Sequence, residues 1–270
     1  MSLLRRCRLV AHALVALFGM ALVLVPPAIA AASTPRPAAQ THAHAPMQPT
    51  TPGGDLVPTP ADTAPADTTT AANWAGYAAT GTTFSSVSAS WVVPTVTCST
   101  GTQYSSSWVG LDGYNSPTVE QTGTDSDCVA GVPTYFAWYE LYPAGSVVIA
   151  PLVTPGDQMN ASVTATTATA FALTITDATS GWTRTFDKTL ASAQLSSAEV
   201  IDEAPCCTAK GGILPLADFG LINFTNAQAN GQRIGAFTHQ RINMVSALGV
   251  KKATTSALAL GAFSVTWNHR

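Results

Sequence analysis

Two short stretches of this chain set carboxylates in surroundings that would alter their chemistry. TYFAWYELYP (134–143) reads as a β-strand, and a period of two puts Phe136, Trp138, Glu140 and Tyr142 on one face. Tyr135, Ala137, Tyr139 and Leu141 take the other face, which reads as core. The first face sets one carboxylate among aromatic rings, as in a ligand groove. The plainer reading is a strand buried on both sides with one hydrogen-bonded glutamate. The second stretch is AEVIDEAP (198–205), where strand parity places Glu199, Ile201 and Glu203 on one side and Asp202 on the other. A carboxylate in an apolar groove keeps its proton to higher pH and can act as general acid or base in mildly acidic solution. It would need a partner for a developing oxyanion, and an Asn or Gln amide N–H can serve.

Other chemistries find no motif. There is no GxSxG elbow, no HExxH and no P-loop. Past residue 72 the histidines are His239 and His269; His239 has no recognisable serine partner motif and reads as structural. Metal ligation there would have to be all-carboxylate and lacks a loop motif, so no metal or cofactor is expected. Charged residues make up only 10% of the chain, against about 25% in an ordinary domain, and the net charge is -3. That excludes a basic nucleic-acid binder and a charge-laced coiled coil. After Arg36 the next Lys or Arg is Arg184, and ten Asp or Glu residues lie between them. Carboxylates with few bases to pair with lose little on protonation, so the expectation is tolerance of acid.

The elements that must position these residues are strands. Val87, Ala89, Trp91 and Val93 alternate with small polar residues, as do Phe171, Leu173 and Ile175. Leu258, Leu260 and Ala262 alternate, then the phase slips to Phe263, Val265 and Trp267, which suggests a bulge near Gly261. No long stretch has helical periodicity, although ASAQLSSAEV (191–200) could form a helical turn. Many short alternating strands argue an all-β sandwich or barrel over residues 72–270. Ahead of it, residues 1–30 read as a signal peptide: Arg5, Arg6 and Arg8, an apolar run from Leu9 to Val25, then Ala28-Ile29-Ala30 for cleavage. Residues 31–71 are rich in Pro, Ala and Thr and read as a disordered propeptide or linker, in which His42 and His44 would be solvated, a metal role for the HAH pair being the lesser alternative. The expected product is secreted and free of the membrane. Beyond the signal, Cys98, Cys128, Cys206 and Cys207 suit an oxidising compartment. A Cys98–Cys128 pair is favoured, leaving a vicinal Cys206–Cys207 disulfide, free thiols or crossed pairing open. NAS (160–162) and NFT (223–225) are glycosylation sequons.

NWAGY (73–77), SSWVGLDG (106–113), VEQTGTD (119–125), TYFAWYELYP (134–143), AEVIDEAP (198–205) and LADFGLINFTNA (216–227) follow one another in an order and spacing that resembles the glutamic peptidases, or eqolisins, over about residues 72–267. The resemblance implies a lectin-like β-sandwich of two packed antiparallel sheets and a Gln/Glu catalytic dyad. Gln121 matches the QTG glutamine, and Glu203 matches the second glutamate of AExIxE, with Glu199 as the competing assignment. It implies substrate-binding positions at Trp74, Trp108, Asp112, Trp138, Glu140 and Tyr142. It further implies a secreted, acid-active endopeptidase made as a zymogen, here read as a monomer acting on protein or peptide substrates without a cofactor.

Two departures stand out. Phe136 occupies a groove position where similar proteins often carry Asp, and Val200 replaces a usual aromatic, which would widen a pocket. The alternatives are a non-catalytic carbohydrate- or peptide-binding sandwich, since aromatic grooves also stack on sugars, and a glycoside hydrolase pairing Glu140 with Glu203.

Overall fold

A computed structural model of the chain describes residues 41–50, 68–150, 152–206 and 212–269. The signal peptide expected over 1–30, most of the linker and Cys207 lie outside the described residues. The described residues belong to one compact unit.

Alternating apolar and polar residues produce sixteen strands among the described residues: β1 (Thr68–Ala71), β2 (Trp74–Thr80), β3 (Ser86–Val92), β4 (Ser106–Leu111), β5 (Val119–Val129), β6 (Val132–Tyr142), β7 (Val147–Ile149), β8 (Gln158–Ala165), β9 (Ala170–Asp177), β10 (Trp182–Thr189), β11 (Ala198–Glu203), β12 (Leu221–Ala229), β13 (Gln232–Arg233), β14 (Thr238–Val245), β15 (Lys251–Thr255) and β16 (Phe263–Trp267). One hydrogen-bonded path runs β10-β9-β8-β3-β12-β16-β15-β14-β2-β11-β4-β5-β6-β7. It folds over on itself as a β-sandwich. β3, β8 and β9 lie against β4, β5 and β11, with β14–β15–β16 joining the two layers. Every pairing along the path is antiparallel; β1 adds to β14 in parallel.

The core between the layers takes the alternate residues expected of it. Val87, Ala89 and Trp91 from β3, Phe171, Leu173 and Ile175 from β9, and Tyr135 and Ala137 from β6 are all buried there. A second apolar cluster covers the opposite face of the β2-β11-β4-β5-β6 layer and contains Trp74, Trp108, Phe136, Trp138 and Ile201. The disulfide Cys98–Cys128 forms as favoured, with a sequence separation of 30. In the chain-entropy account a loop of that size stabilises by about 3–4 kcal/mol. Cys206 is also disulfide-bonded.

Three local expectations are corrected. The phase slip near Gly261 is a turn, not a bulge: β16 begins at Phe263, and Leu260 and Gly261 both have positive φ within an Ala259–Ala262 bridge. Residues 191–197 form no helix, because β11 starts at Ala198 and its neighbours feed a turn. The 31–71 segment is not wholly without structure. β1 pairs with β14, and residues 41–50 lie along the second apolar face, where backbone and histidine partners replace water.

Candidate active site

Pairing register lays the second face out as a grid. Trp74, Glu203, Ser106, Asp125 and Phe136 form one row across β2, β11, β4, β5 and β6. The next row is Gly76, Ile201, Trp108, Gly123 and Trp138, and the third is Ala78, Glu199, Gly110, Gln121 and Glu140. Paired residues in antiparallel strands point to the same side, so all three rows share this face. Glycines in the middle rows leave depth for the tryptophans and for a bound chain.

Residues 42–50 occupy that depth as an extended peptide. Ala43 pairs with Cys206 through two backbone bonds of 2.9 Å, prolonging the β11 edge. Met47 N–H donates to the Gly113 carbonyl at 3.0 Å, and Pro49 bridges to Ala71. Between these anchors the His44–Ala45 peptide bond meets the predicted dyad. The Gln121 side-chain amide donates to the His44 carbonyl at 2.6 Å. On the other side, Trp74 Nε1 donates to the Ala45 carbonyl at 3.0 Å. Asn73 Nδ2 reaches the Ala45 carbonyl at 3.3 Å, the Pro46 carbonyl at 3.2 Å and Glu203 Oε1 at 3.3 Å. Trp108 Nε1 donates to Glu203 Oε2 at 2.9 Å.

The His44 ring stacks flat on Trp138, with centroids 3.6 Å apart. Its Nδ1 lies 2.7 Å from Glu140 and its Nε2 3.3 Å from Asp125. His42 Nε2 lies 2.6 Å from the same Asp125 carboxylate. Burial alone would depress the His44 pKa, but the Asp125 and Glu140 carboxylates override it and raise it to about 10. Burial likewise pushes Asp125 up, and the two histidines reverse this and hold it well below the usual carboxylate range. Glu203 is raised well above its ordinary value, first by burial and also by the nearby Glu140 charge.

The donor atoms of His42, His44 and Asp125 lie within 4.8 Å of one another, the one metal-like cluster among the described residues. Ligands about 2.0–2.2 Å from a shared zinc would sit roughly 3.3 Å apart at tetrahedral angles. The 2.6 Å His42–Asp125 contact is closer than two ligands of one such ion would stand, a direct approach of the two side chains instead.

Gln121, Trp74, Trp138 and Glu140 therefore contact residues 44–45 of the segment, Glu203 and Trp108 stand behind them through Asn73, and Tyr142 packs at the edge of the same apolar cluster. Asp112 does not join them. Its two carboxylate oxygens accept the backbone N–H groups of Gln194, Leu195 and Ser196 at 2.7–2.8 Å, so it holds a turn. Glu199 is buried with Ser197, Asp112 and Glu120 as its electrostatic neighbours, away from the peptide. Val200 faces the core between the layers and cannot widen the groove. Phe136 does line it, 6.4 Å from the His42 ring. His239 is structural as expected, its Nδ1 lying 2.8 Å from the Phe237 carbonyl.

Sequence reasoning missed Asn73, Asp125, His42 and His44. Asp125 was legible as the groove-face residue four after Gln121. The histidines were hidden in a segment with almost no large apolar residues, the composition of a solvated chain.

Solved structures similar to this one include peptidases. Scytalido-glutamic peptidase, solved with a transition-state analogue inhibitor, is 26% identical with a TM-score of 0.65, covering 73% of this chain and 98% of that one. SCP-B of the eqolisin family, solved with the tripeptide Ala-Ile-His, is 25% identical with a TM-score of 0.61 over the same shares. Aspergillopepsin-2 from Aspergillus niger is 29% identical over 127 residues, 45% of this chain and 44% of that protein, so the match spans less than half of that relative. Residues 72–267 match the Peptidase A4 family across the whole sandwich and its groove, and the chain belongs to that family.

Proposed function

We propose that this protein is a secreted, acid-active endopeptidase that works with a Gln121/Glu203 dyad and is made as a latent precursor. One observation carries the reading: the Gln121 amide donates to the His44 carbonyl of the chain's own segment, and Asn73, which also bonds Glu203, donates to the next carbonyl along, that of Ala45. In the proposed reaction, ionised Glu203 takes a proton from a water as its oxygen attacks the scissile carbonyl carbon. The Gln121 N–H donates to the oxygen as negative charge develops there. Glu203 then returns the proton to the departing amine, the C–N bond breaks, and an acid and an amine are left.

The precursor is latent because residues 42–50 fill the groove and keep other chains out of it. The relatives solved with a transition-state analogue and with a tripeptide support a peptide in this groove.

The test is digestion of a denatured protein at about pH 3–5 by the processed protein and by Glu203→Gln. Loss of proteolysis in the variant is expected; unchanged proteolysis would sink the dyad. The flat stacking of Trp138 on a ring also suits a non-catalytic binding sandwich. That reading wins if the processed protein retains peptides and never cleaves them.

A further inference from the structure

We propose that this groove reads histidine at two alternate substrate positions, directly before the scissile bond and two residues earlier, and that His42-Ala43-His44 is the chain's own copy of that motif. The inference rests on the peptidase reading and adds its specificity. In an extended segment residues i and i+2 point the same way, so pairing Ala43 with Cys206 turns both rings toward Asp125.

The pocket around His44 makes two demands. Trp138 supplies a flat wall, which favours a planar side chain. Glu140 and Asp125 stand at opposite ring nitrogens and call for a donor on each side. An imidazolium meets both demands, with one N–H on each side of its ring. Phenylalanine would stack but leave two buried carboxylates unpaired, which is costly. Lysine would bring charge without stacking. Arginine is planar and rich in donors but longer, and is the competitor to include in the test.

His42 sits edge-on to Tyr104, with centroids 4.9 Å apart, and shares Asp125. The titratable groups facing the pair are Asp125, Asp127, Glu140, Glu203 and Tyr104. The ion pairs among the described residues set only His42 and His44, both from the peptide, against Asp125 and Glu140.

The experiment offers acid-processed full-length protein a peptide of its own sequence, QTHAHAPMQP (40–49). Companion peptides carry Phe, Lys or Arg at either histidine or at both. Mass spectrometry should find the cut between His44 and Ala45. Each single replacement should lower kcat/KM about tenfold or more. The double replacement should lose less than the product of the two, because one carboxylate serves both rings. Asp125→Asn should shrink the preference for histidine over phenylalanine at both positions.

Equal rates for the histidine and phenylalanine peptides, from protein that digests a denatured substrate, would overturn the specificity and leave the peptidase intact. If no substrate is cut, peptide binding to full-length Glu203→Gln carrying His42→Ala and His44→Ala still decides. Tryptophan fluorescence should then show tighter binding of the histidine peptide, and no difference would refute the proposal.

Discussion

At the scale of single residues, the proposed dyad stands among neutral donors. Gln121 and Asn73 place amide N–H groups on two successive carbonyls, those of His44 and Ala45, and Trp74 and Trp108 add two indole N–H groups. A neutral donor gains strength as an oxyanion forms and does not trap it afterwards as a buried cation would. Gln121→Ala should therefore lower kcat about 100- to 1,000-fold with a small change in KM, the signature of an oxyanion donor. Steady-state kinetics on a peptide substrate checks this. Asn73→Ala frees Glu203 and the substrate backbone together, so kcat and KM should both worsen. The proposed dyad was legible through the family resemblance, while the scarcity of glutamates and strand parity only brought Glu199 and Glu203 forward together. Parity could not choose between them. That choice depends on what each carboxylate meets across the sheet: indole and amide N–H groups for Glu203, other acids for Glu199.

At the scale of elements, the groove exists because β4 and β5 pack closely enough for Trp108 to lie across a glycine. A Cβ at Gly123 would run into the Ser107 carbonyl oxygen and the Trp108 Cβ. Gly123→Ala should thus part the two strands, cost about 1–3 kcal/mol and move Trp108 off Glu203. Thermal unfolding and kcat should fall together. Asp112→Ala should behave differently: it strips the 194–196 turn of its buried acceptor, so Tm should drop while KM holds. The strands themselves were readable because alternation survives wherever one side faces a core. The 256–262 turn was misread because Leu258, Leu260 and Ala262 alternate by chance of composition, while positive φ at Leu260 and Gly261 bends the chain away from any ladder.

At the scale of the whole molecule, two sets of acids respond to pH in opposite directions. Burial, then the Asp112 charge, raises Glu120 from 4.5 to about 9. Burial also raises Asp127, Glu199 and Asp202 well above normal. A raised folded pKa contributes stability that is complete below the unfolded value and is lost as pH rises through the folded one. The sandwich should therefore be more stable near pH 4 than near pH 8, as read by thermal unfolding. Lys252, lowered from 10.5 to about 8 by burial, works the other way only above about pH 8. The acid tolerance expected from the scarcity of bases would then have a further physical source, the upward pull of burial on these carboxyls.

The segment in the groove has the opposite sign. The depressed Asp125 contributes stability above its unfolded value near 3.8 that is lost as pH falls below it. Acid below about pH 4 should loosen residues 42–50 while the sandwich stays folded. Hydrogen exchange of Ala43 and Met47 at pH 3 and pH 6, beside unchanged core strands, checks this.

Strand alternation and a shortage of charge were enough, within the sequence, to determine an all-β class and to exclude basic partners, and six motifs in order gave the family likeness, which in turn implied the sandwich and the two residues proposed for chemistry. The first two are local or compositional signals, set by a period of two and by residue type. Only the tertiary structure decided that Asp112 braces a turn, that Val200 faces the core, and that two histidines from a proline- and threonine-rich stretch lie against Asp125. Those outcomes depend on partners 77 or more residues away in sequence, which no local pattern encodes.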